Sequence, residues 1–79
     1  MKVHVKLIAT YQRLLPVGTK GNTIEITVPN GTSISQVLSH YGVPLDESSV
    51  IVLNGLTVDL STPVSEGDMV TAFSAIAGG

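Results

Sequence analysis

A chain of 79 residues, 43 % hydrophobic and 13 % charged, makes one small domain and is too apolar and too weakly charged to stay disordered. It has no Cys, which removes disulfides, iron–sulfur clusters, thiolate zinc sites and cysteine catalysis. The net charge of −2, with no basic stripe and no interleaved aromatics, argues against a nucleic-acid partner.

The first residues, Met1-Lys2-Val3-His4-Val5-Lys6, alternate and read as a strand rather than a signal peptide. Val3, Val5, Leu7 and Ala9 share one side of the period-2 pattern, with Lys2, His4 and Lys6 on the other. Ile8 falls on the polar side. No apolar run approaches membrane-spanning length, so a soluble, cytoplasmic protein without a membrane partner is expected.

Thr10 to Asn22 reads as a long connection in which Tyr11, Leu14 and Leu15 pack against the body. Gly18-Thr19-Lys20-Gly21-Asn22-Thr23 lacks the order of a phosphate loop and opens no helix, so it reads as a plain loop. Thr23 to Val28 alternates as a second strand, ended by Pro29-Asn30-Gly31.

Ser33 and Gln36 have the spacing of a capping box, in which each side chain satisfies a free backbone N–H at a helix start. Ile34, Val37, Leu38 and Tyr41 follow with one apolar stripe. A helix of about two to three turns is predicted, too short to stand without a sheet beneath it. Gly42 suits the left-handed position past its end, and Pro44 bars continuation.

Val50-Ile51-Val52-Leu53 is a continuous apolar run, as in a buried strand. Asn54-Gly55 predicts a type I′ turn, with Leu56-Thr57-Val58 as a short return strand. Val64 is expected to tuck beneath the following loop. Glu66-Gly67-Asp68 turns the chain into a last strand, Met69 to Ser74. The predicted class is α+β: a mixed sheet of four to five strands with one main helix across one face.

The final stretch, Ala75-Ile76-Ala77-Gly78-Gly79, reads as a flexible tail on a single domain spanning 1–79. Glycines cost backbone entropy and pack nothing, but a main chain without Cβ atoms threads a narrow channel. The Gly79 carboxylate is therefore the expected working group. The other polar residues offer no competing chemistry. His4 and His40 lack metal-ligand spacing, and a metal site is not expected. Asp46, Glu47, Asp59, Glu66 and Asp68 are scattered over turns, where carboxylates accept from backbone N–H groups. Ser48 and Ser49 have no base in a recognisable frame.

Val5-Lys6-Leu7-Ile8-Ala9-Thr10 with Arg13-Leu14-Leu15-Pro16, then Val52-Leu53-Asn54-Gly55, Gly67-Asp68 before Val70, and Ile76-Ala77-Gly78-Gly79 occur in this order. Together they resemble the small β-grasp sulfur carriers of the MoaD/ThiS family over nearly the whole chain. That resemblance implies a ubiquitin-like β-grasp fold whose first and last strands pair in parallel at the centre of the sheet. It implies that an E1-like adenylyltransferase uses ATP to adenylate the Gly79 carboxylate, which sulfur transfer then converts to a thiocarboxylate. The sulfur acceptor would be the large subunit of molybdopterin synthase or, in the thiamin branch, a thiazole synthase. The chain itself would be a carrier, not an enzyme, with no bound cofactor. The resemblance also places partner contacts on Gly78, Ala77, Ile76, Ala75, Phe73 and Ile8.

Ser74-Ala75 stands where molybdopterin-type tails commonly carry a proline pair, and the tail looks closer to the thiamin type. The length and the long first connection look closer to the molybdopterin type. Molybdopterin biosynthesis is the leading expectation and thiamin biosynthesis the second. A ubiquitin-like protein modifier or a plain β-grasp interaction module would use the same fold differently.

Overall fold

The computed structural model describes residues 1–76. Four strands, β1 (Lys2–Leu7), β2 (Thr23–Thr27), β3 (Ser49–Leu53) and β4 (Met69–Ser74), form one sheet in the order β2-β1-β4-β3. β1 and β4 pair in parallel at its centre, and the two outer pairings are antiparallel. One helix, α1 (Ile34–Ser39), lies across one face. This is the mixed, centrally parallel arrangement expected of a ubiquitin-like β-grasp.

The alternation in β1 sets the layers. Val3, Val5 and Leu7 are fully buried, as are Val70 and Ala72 beside them on β4. They meet Ile34, Val37 and Leu38 of α1, with Leu15, Val43, Ile51 and Val64 closing the margins. Each fully buried Leu or Ile contributes about 1.5–3 kcal/mol relative to exposure. The helix start is built as its spacing predicts, with the Gln36 N–H donating to Ser33 Oγ at 3.2 Å and the Ser33 N–H donating to Gln36 Oε1 at 2.8 Å.

Four details depart from expectation. First, β1 stops at Leu7, and Ala9 does not continue its inward side. Ala9 turns to φ +54° and opens a 3-10 helix over Ala9–Leu14. That turn carries Tyr11 and Leu14 back onto the core margin. Second, α1 has six residues, shorter than two turns. Gly42 at φ +75° donates to Ser39 O and Val43 donates to Leu38 O, which closes the helix before Tyr41 extends it.

Third, β3 is an edge strand, and Ile51 is its sole buried residue. Its apolar run faces both ways. Fourth, Asn54 and Gly55 make the turn with φ +52° and +84°, but the predicted return strand reduces to one bridge, Leu53 with Leu56. Leu56 is 69 % exposed, and the chain leaves the sheet so that Val58 and Leu60 can reach the core.

Asn54 has a second task. Its Nδ2 donates to Asp68 Oδ1 at 3.0 Å, and its Oδ1 accepts from the Met69 N–H at 2.9 Å. Asp68 Oδ2 accepts from the Ser65 N–H at 2.7 Å, and the Asp68 carbonyl accepts from the His4 N–H at 2.8 Å. The two turn motifs thus latch the β3 end to the start of β4 and hold β4 in register with β1. Asp68→Ala removes the acceptor of two of these bonds. It is expected to lower stability by about 1–2 kcal/mol, read as a lower urea midpoint at unchanged slope. An unchanged midpoint would show that the latch carries no energetic weight.

Candidate functional site

The last strand delivers the chain to a defined exit. The Ala75 N–H donates to the Ser48 carbonyl at 2.8 Å, extending the β3–β4 ladder past Ser74. The Ser74 Oγ then accepts from the Ile76 N–H at 3.2 Å, a local side-chain turn that bends the chain away from the sheet. Ala75 and Ile76 are exposed, Ile76 at 63 %. Ala77, Gly78 and Gly79, the expected end of the tail, lie outside the described residues.

The exit is braced from both sides. Tyr11, brought round by the 3-10 helix, places its hydroxyl 2.6 Å from Ser49 Oγ. On the other side Asp46 accepts from the Ser48 hydroxyl and from the Ser48 N–H, the latter at 2.8 Å. These bonds, the hydroxyl first, hold the Asp46 carboxyl below its ordinary value of 3.8. The acid loop Asp46 to Ser49 is thus a bracket for the carbonyl that anchors Ala75.

The second part of the site is the face of the sheet turned away from α1. Among the described residues no element covers it, because α1 and the 3-10 helix both send their apolar side chains into the one core cluster. Register assigns its residues. Phe73 stands opposite Val50, and Thr71 lies between Val52 and Lys6. Ile8 is extended, at φ −109° and ψ 154°, and donates to Ala72 O at 3.2 Å. It therefore continues the parallel ladder by one step and comes beside Phe73. Ile8, Val50, Val52 and Phe73 are all half-buried. They form an apolar corner at the end of the sheet from which the tail departs. At the other end of this face, Glu25 lies 4.0 Å from both Lys2 Nζ and His4 Nε2.

Of the residues singled out by sequence, Ile8, Phe73, Ala75 and Ile76 are gathered here. Val50 and Val52 were not expected, because a continuous apolar run does not reveal which strand is at the edge. The signal was present in parity: Ile51 and Leu53 suffice for the core, leaving Val50 and Val52 over. Tyr11 was expected to pack, and its hydrogen bond to the exit loop could not be foreseen across the intervening chain.

His4 and His40 lie far apart in the fold, on the open sheet face and at the end of α1. Among the described residues no group of three or more His, Asp or Glu side chains is placed to hold a metal ion. No helix among them is long and apolar enough to cross a membrane. A groove of about 340 Å³ runs between β2 and α1, lined by Ile26, Val28, Val37 and Tyr41 among others. Burial there raises the Tyr41 phenol above 10.0.

A family model described as Mut7-C ubiquitin matches residues 1–77. The chain belongs to the Mut7-C ubiquitin family. Solved structures with the same fold include SAMP1 from Haloferax volcanii, at a TM-score of 0.78 and 18 % identity with all of both chains covered. A putative molybdopterin converting factor subunit 1 from Pyrococcus furiosus aligns at 0.73 and 25 % identity, over 95 % of this chain and 98 % of that one. A complex of subunits 1 and 2 of the molybdopterin-converting factor from Helicobacter pylori contributes a chain at 0.63 and 19 % identity, with both chains fully covered. No curated protein matches the sequence. This member of the family thus has the ubiquitin-like β-grasp of those proteins, and the resemblance to MoaD/ThiS carriers extends from short motifs to the whole chain.

The bracket at the exit makes a pH prediction. A depressed carboxyl stabilises the folded state above its unfolded value, and that contribution disappears as pH falls through the lower, folded one. Carbon-detected NMR titration should place the Asp46 midpoint below 3.8, and Ser48→Ala should move it upward. A midpoint indifferent to Ser48→Ala would contradict the bracket.

Proposed function

We propose that this chain is a sulfur carrier whose Gly79 carboxylate, at the end of the tail, is the reacting group. The observation that carries this reading is the position of the tail root. It leaves the sheet beside the uncovered corner of Ile8, Val50 and Phe73, so a partner gripping that corner receives the tail at a fixed place. The likeness to subunits of molybdopterin converting factors supports the same reading.

The chemistry asks little of the carrier. A carboxylate is a poor electrophile because its charge is delocalised and its leaving group would be oxide. An E1-like adenylyltransferase would join the Gly79 carboxylate to the α-phosphate of ATP and release pyrophosphate. Sulfide, delivered by a donor, would then attack the carbonyl carbon and expel AMP, leaving a thiocarboxylate. Its sulfur is a better nucleophile than the original oxygen. Holding it on a threaded glycine tail inside a partner's closed site supplies the positioning that makes attack fast. The acid, base and nucleotide-binding groups belong to the partners, so the chain acts as co-substrate rather than enzyme.

The acceptor proposed is the large subunit of a molybdopterin synthase. Length and the long first connection favour it. Ser74-Ala75, where a proline pair is common in that branch, favours a thiamin-type acceptor as the alternative. A second reading is a protein modifier, with Gly79 joined to lysines of other proteins. The likeness to SAMP1, a small archaeal modifier protein, favours it.

The test is ATP–pyrophosphate exchange with the E1-like adenylyltransferase of the same organism. Exchange should require the chain and vanish when Gly78 and Gly79 are deleted, while the truncated chain keeps its fold. Exchange that survives the deletion would contradict the assignment of Gly79. Proteins in cell extracts whose lysines carry this chain through an isopeptide bond to Gly79 would favour the modifier over the carrier.

A further inference from the structure

The two edges of the sheet are finished differently. In β3 the ladder bonds to β4 at its two ends are carried by Ser48 and Asn54, so the backbone groups of Ser49, Ile51 and Leu53 turn outward. Most of these are closed. The Ser49 N–H donates to Asp46 O at 3.2 Å, and Leu53 exchanges both of its bonds with Leu56, at 2.8 and 3.0 Å. The other edge, β2, has no such cover. Asn22 and Val28 carry its ladder bonds to Leu7 and Met1, so the backbone groups of Thr23, Glu25 and Thr27 turn outward. Nothing among the described residues bonds them. Nor does Thr23–Thr27 carry the devices that blunt an edge, since it has no proline, no lysine and no bulge in its register.

The groove of about 340 Å³ between β2 and α1 runs beside this edge. Ile26, Val28, Val37 and Tyr41 make it apolar, and its lining holds no Asp, Glu, Lys or Arg. On the opposite face of the same strand stands Glu25. A strand laid along β2 therefore meets two chemistries in alternation. Its residue opposite Glu25 shares the face of that carboxylate, and its residues opposite Ile24 and Ile26 share the face of the groove. Glu25 lies 4.0 Å from Lys2 Nζ and His4 Nε2, yet its side chain remains 52 % exposed and open to a further cation. A second copy of this chain suits the edge poorly. Symmetric antiparallel pairing of two β2 strands about their midpoints brings the two Glu25 carboxylates face to face, which is destabilising.

We propose that the β2 edge is a second binding site, separate from the tail, which takes an extended segment of a partner protein as a fifth strand of the sheet. The segment runs antiparallel to β2, the direction that pairs slightly better per residue. It sets Lys or Arg opposite Glu25 and apolar side chains opposite Ile24, Ile26 and Val28, the last two entering the groove. Main-chain bonds to Thr23, Glu25 and Thr27 supply affinity, while the groove and the carboxylate supply choice. β1 and β4 separate this edge from β3 and from the Ser48 carbonyl that anchors Ala75. A partner held here leaves the tail root accessible, so the inference does not depend on what Gly79 carries.

The experiment titrates the isotope-labelled full chain with a blocked peptide, Ser-Val-Thr-Val-Lys-Val-Ser, and follows amide NMR signals. Shifts should be confined to residues 23–28 and 36–41, and the N–H groups of Thr23, Glu25 and Thr27 should gain protection from hydrogen exchange. Thr27→Pro removes an outward N–H that β1 does not use, and should weaken binding roughly tenfold or more. Glu25→Lys should weaken this peptide about fivefold, and should bind the same peptide with Glu in place of Lys about fivefold more tightly than the wild type does. If Thr27→Pro does not fold, the exchange of preference in Glu25→Lys decides the matter. Sedimentation at the same concentrations should show the wild type as a monomer. No binding at about 1 mM peptide, shifts centred on the open sheet face, or a preference unmoved by Glu25→Lys overturns the proposal. A wild-type dimer that Thr27→Pro dissolves would put a second copy on the edge and overturn the partner segment.

Discussion

The parallel ladder between β1 and β4 is the contact on which the rest of the structure depends. It joins the two ends of the chain, so almost the whole sequence is the loop that it closes. Closing a long loop costs entropy, and parallel pairing returns slightly less per residue than antiparallel. The ladder holds because its inward side chains, Val3, Val5, Leu7, Val70 and Ala72, are all fully buried. Its start is pinned by the Asp68 carbonyl on the His4 N–H and by the Lys2 carbonyl accepting from the Gly67 N–H at 2.7 Å. Its end sets the site: the same register that buries Ala72 puts Phe73 on the opposite face, next to Ile8, and sends Ala75 toward Ser48.

A sheet covered on one side explains the composition of the other. A domain this small cannot build a second layer, and a plain surface sheet would carry polar side chains there. This chain keeps Ile8, Val50, Val52 and Phe73 on that side, where they add little to the core. A contiguous exposed apolar patch is a liability to a free monomer and an asset to one that docks. Five of the six carboxylates lie elsewhere, in turns and loops, where Asp46 and Asp68 bind backbone N–H groups. Structure and proposed chemistry therefore agree on a division of labour: one side folds, the other side and the tail are presented.

Much of the fold is legible in the sequence. The alternation of Lys2 to Leu7, the Ser33–Gln36 box, the Asn54-Gly55 turn and the left-handed Gly42 are local signals, each decided by neighbours in sequence. What escaped was non-local. Ala9 continues the period of β1, and its turn to positive φ follows from where Tyr11 and Leu14 must pack. Val50 to Leu53 looks buried on both sides, and its edge position is set by the order of strands rather than by its residues. Leu56 to Val58 has the turn of a hairpin, but Val58 and Leu60 gain more from the core than from the ladder. In the site, Ile8 stood out as a lone breach of pattern, and Phe73 was singled out with it. Their contact required the parallel register, which the family resemblance implied and which composition alone does not dictate.

The central claim is that the tail carries a sulfur on Gly79. The most direct measurement is the intact mass of the chain after incubation with ATP, the E1-like adenylyltransferase and a sulfide donor. The account predicts a gain equal to sulfur replacing oxygen, increased further by one alkyl group on treatment with a thiol alkylator, and absent when Gly79 is deleted. An unchanged mass in the presence of an adenylyltransferase shown to be active would contradict it.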